Sequence, residues 1–479
     1  MKTSGNRDAF AVPAHARQLA TAGYITLTVF AVWYWLNPTS DDAQLTATTI
    51  GLFAFGIVPM LRWVQRNDVS YPHVELLLLT TLPFYALPIL TEHDVISAYP
   101  VSILQKAALA VLLFQAATIV GAVAGRRVYH RGRGKSFWHD EIIPETRLHF
   151  TVHAVTVTTV YLFIAQFTQW IPTNWVGTFR AVFVGIGIVS IFLQARFWGA
   201  GMLSSRDKFF LAANVFVQLI LLFLSLMLVS GLITLLVLLI GYFSTSRRVP
   251  WLACAILLPV LGLLHVGKTR MRQIYWREYA PQVGIMDIPQ FFTSWFEYGL
   301  QGARSDPQQS SATTATYDLM RRASLFQIVC VAVDMTPDRR PFLLGDSYAN
   351  IAAQLVPRAI WPNKPKPTDS VKLLSVQLGL QTNEQADVTS IGFGMISEAY
   401  ANFGFVGPAA LGFVMGFGLV MISLSTMNAP TFSLAGVINI LFLAWCLNAE
   451  SPLVVWTSSL YQACVALCGL LLACKAFFK

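Results

Sequence analysis

Apolar runs of roughly twenty residues recur from one end of this chain to the other, and each is long enough to cross about 30 Å of hydrocarbon as a helix. Only 12% of the 479 residues are charged, where a soluble domain carries about a quarter. The sequence therefore excludes a soluble globular protein and predicts an all-α polytopic membrane protein. Twelve spans are expected, from Gln18–Leu36 to Pro452–Ala476. The continuous run Phe209–Phe243 is too long for one span, so it is divided at Ser230–Gly231, which leaves a short eighth span.

Charge placement gives a separate constraint. With the N-terminus inside, 18 of the 33 Lys and Arg residues fall on the inner side and only Lys106 and Arg180 at short outer turns and span ends. That alternation follows the positive-inside rule and predicts two cytoplasmic termini. The other 13 cations lie between Gly267 and Ile391 with 11 acids, in a long outer loop whose length exempts it from the rule. The expected organisation is a membrane domain over residues 1–266, an extracytoplasmic loop domain over 267–404, and a second membrane portion over 405–479. Five of the six cysteines fall in predicted spans and Cys330 alone in the loop, which excludes a disulfide framework; no metal-ligand spacing is present.

Within the loop, DIPQFFTSWFEYGLQG (Asp287–Gly302) reads as an aromatic amphipathic helix lying along the membrane surface. The apolar part of Arg321–Asp334 is too short to span and suits a buried helix. The segment VPRAIWPNKPKP, Val356–Pro367, holds four prolines, three cations and a tryptophan. Proline fixes φ and donates no amide, so this stretch presents Arg358, Lys364 and Lys366 from a stiff, extended backbone. GFVMG, Gly412–Gly416, has the spacing of a close helix–helix contact.

The order of short motifs carries a resemblance. Thr336-Pro337 is followed by Gly345-Asp346-Ser347-Tyr348, then Pro-Arg-x-x-Trp-Pro-x-Lys-Pro from Pro357, then Ser-Glu-x-Tyr-x-Asn-Phe-Gly-x-x-Gly from Ser397. This series resembles the Wzy-type oligosaccharide repeat-unit polymerases (O-antigen polymerases), which carry it in a large periplasmic loop. The match covers Thr336–Gly407. Elsewhere it is one of topology, with a weaker likeness at His265–Trp276. One departure stands out: the turn Val229-Ser230-Gly231 lacks the arginine that related enzymes place after a serine, and Arg180 at another outer edge is the candidate substitute.

The resemblance implies a GT-C-like membrane glycosyltransferase in the bacterial inner membrane. It would work without cofactor or metal, transferring a glycan from undecaprenyl diphosphate onto a hydroxyl of another lipid-linked repeat unit. The same lipid-linked glycan would be donor and acceptor. Membrane lipid, a chain-length regulator and a flippase are the further partners, and nucleic acid is not one. The residue chemistry agrees. A leaving diphosphate needs preorganised cations, for which arginine offers bidentate contact and lysine a point charge. Arg358 and Lys364 are the first candidates for that contact, and Arg180, Lys268 and Arg272 the next. Glu398 is the expected general base and Asp346 the second carboxylate. Trp361, Tyr400 and Asn402 are the expected sugar contacts.

Each assignment has a plainer counterpart. VPRAIWPNKPKP can cap a loop domain with its cations in water, and Lys268 and Arg272, on one helical face, can meet lipid headgroups. Glu398 can be a carboxylate favoured by a helix N-terminus, and Asp346 a turn acid. Three rival functions also stand: a transporter or flippase, a glycan ligase, and a scaffold of an export assembly. Against the first, the two halves differ and the span centres are nearly free of charge. Against the second, residues 267–391 contain no histidine, which that ligase family requires in its loop.

Overall fold

A computed structural model describes residues 14–65, 71–90, 94–129, 137–140, 142, 148–168, 173–226, 228–246, 248–275, 283–304, 325–356, 360–361, 363–388, 391–427, 429–430, 433–448 and 451–477. Every regular element among them is a helix. Among the described residues ten helices are long and apolar enough to cross a membrane, which makes this a multi-pass membrane protein. They coincide with ten of the twelve expected spans. The other two fall on shorter apolar helices, Thr151–Phe167 and Leu434–Trp445. Twelve helical residues rise only about 18 Å, well short of the hydrocarbon thickness.

The chain forms two compact units, one from residues 1–142 and 321–479 and the other from 143–320. The boundary at residues 320 and 321 falls within the stretch 267–404.

The first unit contains α1 (Ala14–Leu36), α2 (Ala43–Gln65), α3 (His73–Leu90) and α4 (Val101–Val128). Its central seam is the crossing of α4 with the later span Val406–Ser425. A Cβ on Gly416 would sit 1.9 Å from the Thr118 carbonyl oxygen, and one on Gly121 2.1 Å from that of Phe413. The two backbones therefore meet directly, as the GFVMG spacing predicts. The partner glycines on α4 were not singled out from the sequence. At one end of this bundle Arg126 lies 3.6 Å from Glu75, the Tyr129 hydroxyl donates to the Leu424 carbonyl, and Ser423 donates to that of Tyr71. The loop elements described below gather at the opposite end.

The second unit contains α5 (Leu148–Phe167), α6 (Thr173–Gly199), α7 (Ser205–Leu224), α8 (Leu228–Ser246), α9 (Trp251–Tyr275) and α10 (Ile288–Arg304). The division expected at Ser230–Gly231 is corrected here: α7 ends at Leu224 and α8 begins at Leu228, with Ser230 inside it. Leu226 makes the break at φ 56°, an uncommon conformation for a residue with a Cβ, and it is fully buried. Arg272 of α9 donates from Nη2 to the Leu226 carbonyl at 2.9 Å. A distant side chain thus holds a turn that local preference does not favour.

At 25 residues α9 extends about 37 Å, longer than the hydrocarbon thickness. The amphipathic helix α10 runs back along it. Its Trp295 indole donates to the Leu264 carbonyl at 2.8 Å, and Gly267 and Gly299 let the backbones touch. Phe291 and Trp295 join Leu221, Phe223 and Leu264 in one buried cluster. The helix expected to lie along the membrane surface therefore packs on a neighbouring helix through its aromatic face.

Candidate functional site

The region matching the motif series begins where α11 (Leu325–Met335) ends. This helix is apolar almost all round, and Phe326, Val329 and Cys330 are completely buried. A helix without a polar face must be covered on every side, as the sequence predicts, and α11 packs between α4 and α12 (Met395–Phe403).

Beyond α11 the chain docks onto the last turn of α12. The final carbonyls of a helix have no partner within it; here the amides of Leu343 and Leu344 donate to Ala401 and Asn402 carbonyls. Leu344 and Gly345 then take positive φ, 48° and 103°, and turn the chain sharply. The Gly345 amide donates to Asn402 Oδ1 at 2.8 Å. A single 3₁₀ turn, Asp346–Tyr348, follows.

This turn is tied to α12 by a directional set of hydrogen bonds. The Asn402 amide donates to Ser347 Oγ at 2.8 Å and to the Glu398 carbonyl at 2.8 Å. Ser347 in turn donates to Glu398 Oε1 at 2.9 Å. The other carboxylate oxygen, Oε2, accepts the amide of Leu453 at 2.6 Å. Leu453 is the first residue of the last helix, numbered here after α13 (Val406–Ser425) and α14 (Leu434–Trp445) as α15 (Leu453–Phe477). Its amide is one of the four that a helix N-terminus leaves without an internal acceptor. One carboxylate therefore joins three stretches of chain at positions 347, 398 and 453.

Glu398, Ser347 and Asn402 are almost wholly buried, with Glu398 at 0% exposure. Burial pushes the Glu398 carboxyl up to about 7, against the opposing pull of the Leu453 amide and the Ser347 hydroxyl. Burial, followed by the Glu398 charge, also raises the Tyr348 phenol. Asp346, next to Ser347, is exposed, and its carboxylate has no hydrogen bond or ion pair among the described residues.

The expected site residues thus separate by position. Glu398 and Asn402 share one face of α12, and Asp346 stands on the turn they hold. Tyr400 is buried and packs edge-on against Phe405 at 5.3 Å between ring centres. Lys364 is also buried: its Nζ donates to the carbonyls of Val356 at 2.7 Å and Gln354 at 3.3 Å. Trp361, three residues earlier, is 44% exposed. Arg358 lies outside the described residues. The remaining three cations belong to the second unit. Arg180 is on α6, with its side chain outside the described residues. Lys268 is half-buried on α9, and Arg272 holds the Leu226 carbonyl.

Ser347 is the participant that sequence reasoning missed. Its signal was the four-residue spacing of Glu398 and Asn402, which puts both on one helical face and calls for a polar partner opposite. Among the described residues no three His, Cys, Asp or Glu side chains gather to hold a metal ion. Chemically, the arrangement offers one accessible carboxylate on a turn fixed from behind by a buried one. Compared with known protein families, curated proteins and solved structures, the chain matches none.

Proposed function

We propose that this protein is a membrane glycosyltransferase of GT-C-like architecture that polymerises undecaprenyl-diphosphate-linked oligosaccharide repeat units. The reaction breaks the bond from the sugar's anomeric carbon to the diphosphate oxygen. It forms a bond from that carbon to a hydroxyl oxygen of the acceptor, whose proton passes to a base, and undecaprenyl diphosphate leaves.

The observation that carries this reading is the meeting of two motif segments about fifty residues apart in sequence. The Gly-Asp-Ser-Tyr turn and the Ser-Glu-x-Tyr-x-Asn helix are joined by the Ser347–Glu398 and Asn402–Ser347 bonds. That join leaves Asp346 exposed at the end of the bundle opposite Arg126. In this reading Asp346, the reachable carboxylate, accepts the hydroxyl proton, and Glu398 fixes the turn that carries it. Arg358 meets the leaving diphosphate, for which an arginine gives paired hydrogen bonds. Trp361 offers an exposed ring to a sugar face. The charge bias of the sequence supports cytoplasmic termini with the Asp346 end facing outward, and the motif resemblance supports a bacterial inner-membrane setting.

The test is to incubate the purified protein in lipid nanodiscs with an undecaprenyl-diphosphate-linked repeat unit and separate the products by mass. A ladder of lipid-linked oligomers is expected, and Asp346→Asn should abolish it while leaving the protein folded. A transporter would move the lipid without producing a ladder, and that result would overturn the proposal.

A further inference from the structure

The segment that follows the short helix Ile351–Gln354 is closed at its base by three hydrogen bonds. Lys364 Nζ donates to the carbonyls of Gln354 and Val356, and Gln354 Nε2 donates back to the Pro365 carbonyl at 3.0 Å. Both side chains are buried, Lys364 at 6% exposure and Gln354 at 2%. Between these bonded ends, Ile360 is 76% exposed and Trp361 44%. Arg358 falls in the same stretch of sequence. The local chemistry explains why a lysine sits here. A helix end leaves carbonyls without partners, and Pro357, Pro362 and Pro365 contribute no amides to answer them. A long side chain ending in three N–H donors can answer two carbonyls at once.

We infer that Lys364 is a positioning residue: its amine holds the Gln354 and Val356 carbonyls and ties its own stretch of chain to the end of the helix Ile351–Gln354, rather than binding the diphosphate of a substrate. The consequence for specificity is a division of labour within the Pro-Arg-x-x-Trp-Pro-x-Lys-Pro motif. Its last cation is spent on backbone carbonyls, and its exposed apolar residues, Ile360 and Trp361, are left to meet the ligand. The role in catalysis rests on the polymerase reading above; the backbone role does not.

Two measurements on the full-length protein in nanodiscs separate these. The first is acylation of lysines by N-hydroxysuccinimidyl acetate, followed by mass spectrometry, with and without inorganic pyrophosphate. Lys366 is exposed and serves as the internal reference. A positioning Lys364 should react at least about tenfold more slowly than Lys366, with no change on adding pyrophosphate. Reaction as fast as Lys366, or shielding by pyrophosphate, would overturn the inference. This arm needs no activity, so it decides the matter even if no oligomer ladder is ever formed.

The second measurement compares Lys364→Gln with Lys364→Met. Carbonyl acceptors require an N–H and not a charge, whereas a diphosphate requires the charge as well. Glutamine should therefore retain oligomer formation to within about fivefold of the native protein. Methionine should lose about fiftyfold and raise hydrogen exchange across 355–363. Equal losses in both variants, with exchange unchanged, would count decisively for a charge contact. Should the methionine variant fail to fold, the glutamine variant and the acylation rates still give the answer.

Discussion

Two buried polar groups in the first unit make an instructive pair. Glu398 collects donors, the hydroxyl of Ser347 and the amide at the start of α15. Lys364 collects acceptors, the carbonyls at the end of a short helix that runs into prolines. A helix start exposes N–H groups and a helix end exposes C=O groups, so each side chain sits at the terminus whose unpaired groups it can satisfy. The difference shows how irregular segments between packed helices are fixed by single polar side chains. One carboxylate and one amine each close a chain segment by answering backbone groups that the fold leaves open.

The sharpest way to break this comparison is to remove the carboxylate. Glu398→Ala leaves the buried Ser347 hydroxyl and the part-buried Leu453 amide without their acceptor, at roughly 3 kcal/mol. A fall of that size in unfolding free energy, read by denaturant titration, is the largest effect expected. Gly416→Ala serves as the apolar counterpart, because its Cβ would meet the Thr118 carbonyl oxygen at 1.9 Å. Crowding at a packed seam should cost about 2 kcal/mol. A milder loss there than at Glu398 would mark the polar join as the stronger constraint.

Acidity sharpens the comparison further. The Glu398 carboxyl is raised to about 7 in the folded protein from an ordinary value near 4.5. The folded state then holds more protons than the unfolded state between these values, so stability falls as pH rises from about 4.5 to 7 and levels off above. Glu398→Gln should flatten that slope. A slope that survives in the glutamine variant would assign it to another group. Ser347→Ala, which removes one donor, should cost about 1 kcal/mol. It should also raise the Glu398 carboxyl further and carry the sloping region to higher pH. The smallest effect on stability belongs to Asp346→Asn, within about 0.5 kcal/mol because the side chain is exposed. In the proposed reaction the same change is the most damaging to product formation.

Different parts of the molecule were legible to different degrees. The burial of α11 followed from its uniform apolarity, and the Gly412–Gly416 contact from its spacing. The break between α7 and α8 did not, because Leu226 takes a conformation that leucine disfavours and is held by an arginine forty-six residues later. In the candidate site, the sequence named Glu398 as a base and Asn402 as a sugar contact, and their four-residue spacing permits one shared helical face. Spacing alone does not show that this face turns inward onto Ser347. Lys364 reads in sequence as a cation beside another cation, and only the carbonyls around it show that its donors are already engaged.

By itself, the sequence determined that this chain crosses a membrane many times as helices, since runs of twenty apolar residues with so few charges have no other stable home in water or lipid. It also marked which short polar segments stand apart from that hydrocarbon. Tertiary structure alone decided which of those polar groups are buried and which are left open. Burial depends on what each group meets across the fold, and a carboxylate or an amine looks the same in a sequence whether it faces solvent, a ligand or the unpaired end of a helix.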